Sequence, residues 1–189
     1  MTARGRWAGI LVAAGFIAAT VVVSLLQPSD EFQQSPFVTR MAGFDIPSNA
    51  RAITVTATDA ALADRVQTPD WLGDTEGVWL VVDLTFEPRI DRGGIAGEVR
   101  IGDTVYRASQ RVESGIDSAI ADPGLPWAGA LLFELPASVL DRPEAGTTLV
   151  RFSSRDDTRL DEVLELVIDL GSLPHEASLS VPEPGRVTG

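Results

Sequence analysis

Few side chains in this 189-residue sequence belong to the types that do chemistry. His175 is the only histidine, and cysteine and lysine are both absent. A serine hydrolase needs a base beside its nucleophile, and His175 lies alone at the start of a proline-containing C-terminal segment. We therefore expect His175 to be a solvated tail residue. Thiolate and multi-histidine metal sites are excluded by composition.

Carboxylates are plentiful, with 27 Asp and Glu residues. Asp156, Asp157, Asp161 and Glu162 lie close together and supply the oxygen ligands that calcium prefers, but their spacing lacks the glycine and alternating acids of an EF-hand. A solvated acidic turn is the favoured interpretation, and calcium binding stays open. A glycosidase needs two facing carboxylates, and the sequence singles out no pair. We predict no enzyme activity, no metal site and no cofactor.

The tryptophans are the remaining candidates. Trp71 and Trp127 lie in or beside segments rich in Gly, Pro and Asp, and loop tryptophans often mark binding surfaces because they bury a large area at small entropic cost. Both are weak candidates for binding a ligand or partner. The alternative is that they fold back against the end of the domain. Trp79 lies within an apolar strand pattern and is expected in the core.

The elements that position these residues begin with Trp7–Leu26, twenty residues without charge or proline. As a helix this stretch spans about 30 Å, the thickness of the hydrocarbon core of a bilayer. Arg4 and Arg6 precede it, whereas Asp30 and Glu31 follow it, which favours a cytoplasmic N-terminus. We predict a single transmembrane anchor in the cell membrane that holds an extracytoplasmic domain. A cleaved signal peptide is the alternative.

The sequence divides into a cytoplasmic stub and anchor (1–26), a linker (27–50), a folded domain (51–173) and a disordered tail (174–189). Beyond residue 26 the chain has 13 arginines against 27 acidic residues, a formal charge of −14. Such a charge repels phosphate backbones. Nucleic acid is therefore not expected as a partner, and the bilayer is expected to be contacted through Trp7–Leu26.

The domain has the pattern of short strands separated by Gly, Pro and Asp turns. Residues 52–58 alternate apolar and hydroxyl side chains, and a short helical or irregular piece is expected at 60–66. Gly102-Asp103 predicts a hairpin with Val99 opposite Tyr106. Further strands are predicted at 77–86, 127–135, 147–153 and 162–170, the last with a helix as its rival. Without strand-helix alternation, a two-sheet antiparallel β-sandwich is the expected all-β fold.

Three segments also carry a family resemblance: the central strand Gly77–Phe86, the hairpin that ends at Tyr106, and the strand that leads from Leu131 to Pro136. Together they resemble the immunoglobulin-like extracellular domains of actinobacterial immunoprotective proteins and their uncharacterised membrane-anchored relatives. The resemblance covers roughly 51–173 and implies an immunoglobulin-like sandwich with no established catalytic residues. The Glu87-Pro88 pair departs from it, because relatives commonly have asparagine after the central strand.

These observations predict a non-enzymatic, membrane-anchored domain that binds another envelope or membrane protein, such as a transporter. The alternatives are a carbohydrate or small-ligand module with Trp71 and Trp127 on one surface, an acidic-residue hydrolase, and a plain structural spacer.

Overall fold

The computed structural model describes residues 35–112, 115–155, 158–159 and 161–187. Within them the fold is an all-β sandwich of two sheets, with four short 3₁₀ turns and no α-helix. The predicted anchor, Trp7–Leu26, lies outside the described residues. So do Asp156 and Asp157 of the acidic segment.

Twelve strands occur in the described part of the chain. The seven-stranded sheet has the order β10-β3-β4-β7-β12, with β2 and β11 also pairing with β3, and the five-stranded sheet has the order β1-β9-β8-β5-β6. Their bounds are β1 Phe37–Arg40, β2 Ser48–Asn49, β3 Ile53–Gln67, β4 Leu72–Pro88, β5 Ala96–Ile101, β6 Thr104–Arg107, β7 Trp127–Leu135, β8 Thr148–Ser153, β9 Glu162–Ile168, β10 His175–Glu176, β11 Leu179–Ser180 and β12 Gly185–Arg186.

The main core lies between the two sheets. Alternate residues of each strand point inward because side chains of a strand alternate between its faces. The largest fully buried contributors are Phe86 and Phe133 from the larger sheet and Phe152 from the smaller one. This alternation confirms the two-sheet sandwich expected from the sequence.

The Gly102-Asp103 hairpin also forms as predicted. Gly102 has a φ of 59°, a left-handed conformation that favours glycine, and Val99 pairs with Tyr106. The segment with two interpretations, 162–170, forms strand β9 rather than a helix. Its Leu164, Leu166 and Ile168 face the main core.

Three segments differ from the expectations. Residues 60–66, expected to be helical or irregular, continue β3, which runs for 15 residues. Part of the expected linker belongs to the sandwich, since β1 pairs in parallel with β9 and Met41 is buried. The expected disordered tail instead forms three strands that pair with β3 and β7. We call residues 174–187 the C-terminal strap.

The strap explains a second apolar cluster on the outer face of the larger sheet, which we call the outer cluster. Val181 of the strap is buried there with Trp79 and Val112, and Leu179 packs against the same cluster. The outward-facing side chains of β3, β4 and β7 are therefore apolar where the strap covers them. This covering explains why residues 60–63 are apolar on both faces, unlike a half-exposed strand.

A row of alternating charges crosses the outer face of the smaller sheet. Strand register places Arg40, Glu165, Arg151 and Glu98 side by side on β1, β9, β8 and β5. Glu165 accepts hydrogen bonds from Arg151 Nε at 2.9 Å and Arg40 Nη2 at 3.0 Å. Burial by itself raises the pKa of Glu165, but the hydrogen bonds and charges of the two arginines outweigh it and leave the pKa below its usual value.

Candidate functional site

Trp71 packs over the outer cluster, just before β4 begins. Its ring meets Trp79 edge to face, with centroids 5.6 Å apart, and Arg111 Cζ lies 5.4 Å from the Trp71 ring centroid, within cation-π range. Gly73 leaves the necessary space, because a Cβ there would lie 1.9 Å from Cη2 of Trp71. Arg111 in turn forms an ion pair with Glu134 at 3.2 Å. Trp71 is therefore a partly buried, firmly held side chain.

Trp127 begins β7 and lies on the other face of the same sheet. It pairs with Phe86 in β4 and with Arg186 in β12, and it packs against the main core. Trp71 belongs to the outer cluster. The structure thus does not bring the two tryptophans onto one surface, and a role for either in binding stays a prediction.

A pair of acidic residues lies beside the C-terminal half of the strap. Asp59 of β3 and Asp83 of β4 are directly opposite in register, on the outer face of the larger sheet. They line a groove of about 520 Å³ together with Glu183, Arg186 and neighbouring residues of β7. Partial burial raises the pKa of Asp83 above its usual value, and the nearby charge of Asp59 raises it further. A carboxyl group in this position can hold a proton more readily than an ordinary aspartate.

Sequence reasoning did not single out this pair. An irregularity in the pairing at Thr58 shifts the register of β3 between Ala57 and Asp59, and it brings Asp59 opposite Asp83. The alternation of apolar and hydroxyl side chains that predicts this strand ends at residue 58. The one sequence signal for this pair lies in the strand pattern of 77–86, where Asp83 interrupts a run of apolar residues.

The other acidic candidates make contacts within the fold. Glu162 accepts a hydrogen bond from Thr39 Oγ1 at 2.6 Å and another from the backbone N–H of Arg51 at 2.7 Å. Asp161 accepts from the backbone N–H of Glu162 at 2.9 Å. The Glu162 carboxylate therefore ties β1 and the segment before β3 to the start of β9. In the described part of the chain, no group of three or more His, Cys, Asp or Glu residues is arranged to hold a metal ion.

His175 fastens the strap to the edge of the larger sheet. It pairs in parallel with Leu62 of β3, and its Nε2 lies 2.8 Å from Oδ1 of Asp64. Asp64 lies at the second register irregularity of β3, between Ala63 and Arg65. The only histidine of the chain is therefore a contact of the strap rather than a free tail residue.

Two loops at one end of the sandwich hold each other in place. The loop after β4 and the loop before β7 are joined by backbone bonds in both directions between Gly93 and Ala121, at 3.0 and 2.9 Å. Gly124 donates its N–H to the Glu87 carboxylate at 3.0 Å. We call residues 89–94 and 119–126 the paired loops.

The paired loops present apolar side chains to solvent. Ile90 is 56% exposed, and Ile120 and Leu125 are exposed as well. The described chain begins at this same end, because Phe37 pairs with Glu162 at the start of β9 and the backbone N–H of Arg51 reaches the same glutamate. An apolar, braced surface therefore lies beside the point where the chain enters the sandwich.

No helix long and apolar enough to cross a bilayer occurs among the described residues. No protein-family model and no curated protein matches the chain.

Two solved structures are similar. An uncharacterized β-sandwich protein from Clostridium difficile 630 matches with a TM-score of 0.47 and 9% identity, over 74% of this chain and 99% of that one. The yjhA protein from Bacillus subtilis matches with a TM-score of 0.46 and 12% identity, over 67% of this chain and 99% of that one.

Proposed function

We propose that this protein is a non-enzymatic binding domain on the outer side of the cell membrane, where it accompanies another membrane or envelope protein. The apolar stretch Trp7–Leu26 and its flanking charges support the anchor and its direction. The observation that carries the binding role is the exposed apolar surface of the paired loops. Isolated apolar residues are common on protein surfaces, but here they lie on two mutually braced loops.

The position of the paired loops supports a partner in the membrane. The paired loops lie at the end of the sandwich where the described chain begins, at the start of β1, and Trp7–Leu26 precedes β1 in the sequence. Their bracing limits the entropy lost on binding, because the loops are already ordered.

We also propose that the sandwich is related to immunoglobulin-like extracellular domains. Supporting observations are the central strand β4, which contains Gly77–Phe86, the Gly102-Asp103 hairpin, and strand β7 with Pro136 after it. The parallel β1-β9 pair and the strap are additions around these elements.

Site-directed photocrosslinking in the native membrane tests the partner hypothesis. A photoreactive amino acid replaces Ile90, and a matched control replaces Leu72, which is 53% exposed but lies at the opposite end of β4. Our proposal predicts one specific membrane protein captured from position 90 and not from position 72. Equal capture at both positions, or background proteins alone, would contradict it. A variant without Trp7–Leu26 should lose the capture if the anchor is needed.

Small-ligand binding is the second candidate, and the groove beside Asp59 and Asp83 is the observation that favours it. Its volume of about 520 Å³ is in the range of small-molecule sites, and the carboxylates that line it can accept hydrogen bonds from the hydroxyl groups of a carbohydrate. Glycan screening of the full chain, with Asp83→Asn as the comparison, tests it. A hydrolase at this pair would release product in the same screen, and a plain spacer would show neither binding nor turnover.

A further inference from the structure

A second cavity opens beside the paired loops, at the start of β5. Its volume is about 300 Å³, and it is lined by residues 94–97, by Arg107 and Arg155, and by Gln110, Ser154, Asp117 and Ile120. This size accommodates a small molecule or a single headgroup. The function proposed above does not use the cavity.

Arg107 lines the cavity and has no partner of opposite charge in the part of the chain that the structure describes. Strand register places it opposite Glu98, but the Glu98 carboxylate lies near two other arginines, Arg100 at 3.7 Å and Arg151 at 3.5 Å. Among the described residues, no ion pair and no side-chain hydrogen bond of Arg107 is found. A guanidinium in this state has all its donors available for an oxyanion.

Arg155 adds a second guanidinium from the turn after β8. Its ion pair with Asp161 is long, with Nε 4.0 Å from Oδ2. That carboxylate group also accepts the backbone N–H of Glu162 through Oδ1. The Arg155 side chain is therefore loosely held and can turn its donors to a bound group.

Ser154 provides a third observation that points to a ligand. Its Oγ is shielded from solvent and has no hydrogen-bond partner, although it belongs to a residue that lines the cavity. Shielded hydroxyl groups are nearly always bonded in folded proteins. An oxygen atom of a bound group would supply the missing partner, and the Gln110 amide offers a further donor.

The negative net charge of the chain does not prevent an anion from binding in this cavity. A net charge of −12 repels anions at long range, but salt screens that field beyond about 8 Å under physiological conditions. Within the cavity, two arginines face one carboxylate, that of Asp117. Contact with the guanidinium groups therefore favours an anion at short range.

We propose that this cavity binds an oxyanion, a phosphate or carboxylate group, through Arg107, Arg155 and the Ser154 hydroxyl. The group belongs either to a free small anion or to an anionic lipid headgroup. The second source rests on the proposed membrane location of the protein. The first source does not depend on it.

Calorimetric titration of the full-length chain in a neutral detergent tests the site. The probes are inorganic phosphate, dihexanoylphosphatidylglycerol and the zwitterionic dihexanoylphosphatidylcholine. The binding variant is Arg107→Gln combined with Arg155→Gln. The control is Arg142→Gln, which removes the same type of charge from an exposed position in the turn before β8, at the opposite end of the sandwich.

We expect phosphate to bind and the double variant to weaken that binding by about tenfold or more, since each charge-assisted hydrogen bond contributes at least that factor. The Arg142 variant should bind as the unaltered chain does. Tighter binding of phosphatidylglycerol than of phosphate would identify the headgroup as the source, whereas phosphate binding without lipid binding would identify a soluble anion.

Absence of binding by both anionic probes would overturn the proposal, as would equal affinity of the double variant and the unaltered chain. The phosphate titration takes place without a bilayer or a partner protein. Its failure would therefore leave the photocrosslinking result unaffected, and the two proposals can fail separately.

Discussion

Removal of Arg151 should expose how strongly the sandwich depends on the charged row of its smaller sheet. The Glu165 side chain is only 5% exposed, and Arg151 holds it through Nε at 2.9 Å and Nη2 at 2.8 Å. In an Arg151→Met variant the buried carboxylate keeps one partner, Arg40, whose side chain is 67% exposed. A buried charge loses most of its compensation in this way.

The expected cost follows from that geometry. Breaking a fully buried ion pair costs about 3–5 kcal/mol. Because Arg40 still reaches Glu165, and because Arg151 itself is 15% exposed, we expect about 2–3 kcal/mol. For a domain of roughly 150 residues this corresponds to a fall in Tm of about 6–9 °C.

The pH dependence gives a second check on the same pair. The arginines lower the pKa of Glu165 in the folded state. This stabilisation is therefore fully present above the unfolded pKa of about 4.3 and is lost as the pH falls through the folded pKa. The difference between the unaltered chain and Arg151→Met should be full at neutral pH and should shrink in acid.

Urea unfolding of the full-length chain in neutral detergent measures these free energies. Arg40→Met is the matched control, and it should cost less than about 1 kcal/mol because Arg40 is exposed. The double variant Arg151→Met with Glu165→Leu should recover much of the loss, since no charge is left buried. An Arg151→Met variant as stable as the unaltered chain, or a double variant less stable than the single one, would refute this reasoning.

Two further predictions concern the outer face of the larger sheet. Asp83→Asn should raise the free energy of unfolding at pH 7 by on the order of 0.5 kcal/mol, because it removes a charge directly opposite Asp59. Since the folded pKa of Asp83 is raised, this gain should decrease as the pH drops through that pKa and vanish below the unfolded pKa of about 3.9. Thermal unfolding at several pH values measures the gain. Val181→Asp should destabilise the fold by about 2 kcal/mol or more and speed proteolysis of the strap, because it places a charge in the outer cluster. Val187→Asp, at a position that is 44% exposed, should do neither; equal proteolysis of both variants would show that the strap is not held by its apolar contacts.

The sequence alone determined most of the strands of the sandwich. Alternation along 77–86, 127–135 and 162–170 reflects the fixed two-residue period of a strand with a buried face, which is a local property of the chain. The Gly102-Asp103 turn is local as well, because a left-handed backbone conformation at its first central residue favours glycine. Local rules suffice wherever a segment has one buried and one solvated face.

Only the tertiary structure decided how the first and last strands of the sandwich pair. Strand β1 pairs with β9, and β10 and β11 of the strap pair with β3, in each case across more than 100 positions in sequence. Such pairing leaves no periodic signal in segments of two to four residues. Strand β3 is affected as well, because its residues 60–63 are apolar on both faces and Ala63 on the outer face belongs to the cluster that the strap covers. A covered outer face removes the alternation on which the prediction of that strand depended.

For the candidate sites too, the sequence indicates the residue types, and the tertiary structure decides which residues come together. The sequence marked Trp71 and Trp127 as unusual, because residue type and loop context are local, but their separation onto two faces of one sheet follows from the pairing of β4 with β7. The Asp59-Asp83 pair and the cavity beside Arg107 and Arg155 arise from register and from the meeting of distant loops. Residue chemistry can be read along the chain, whereas the distance between two reactive groups is fixed only when the strands that hold them pair.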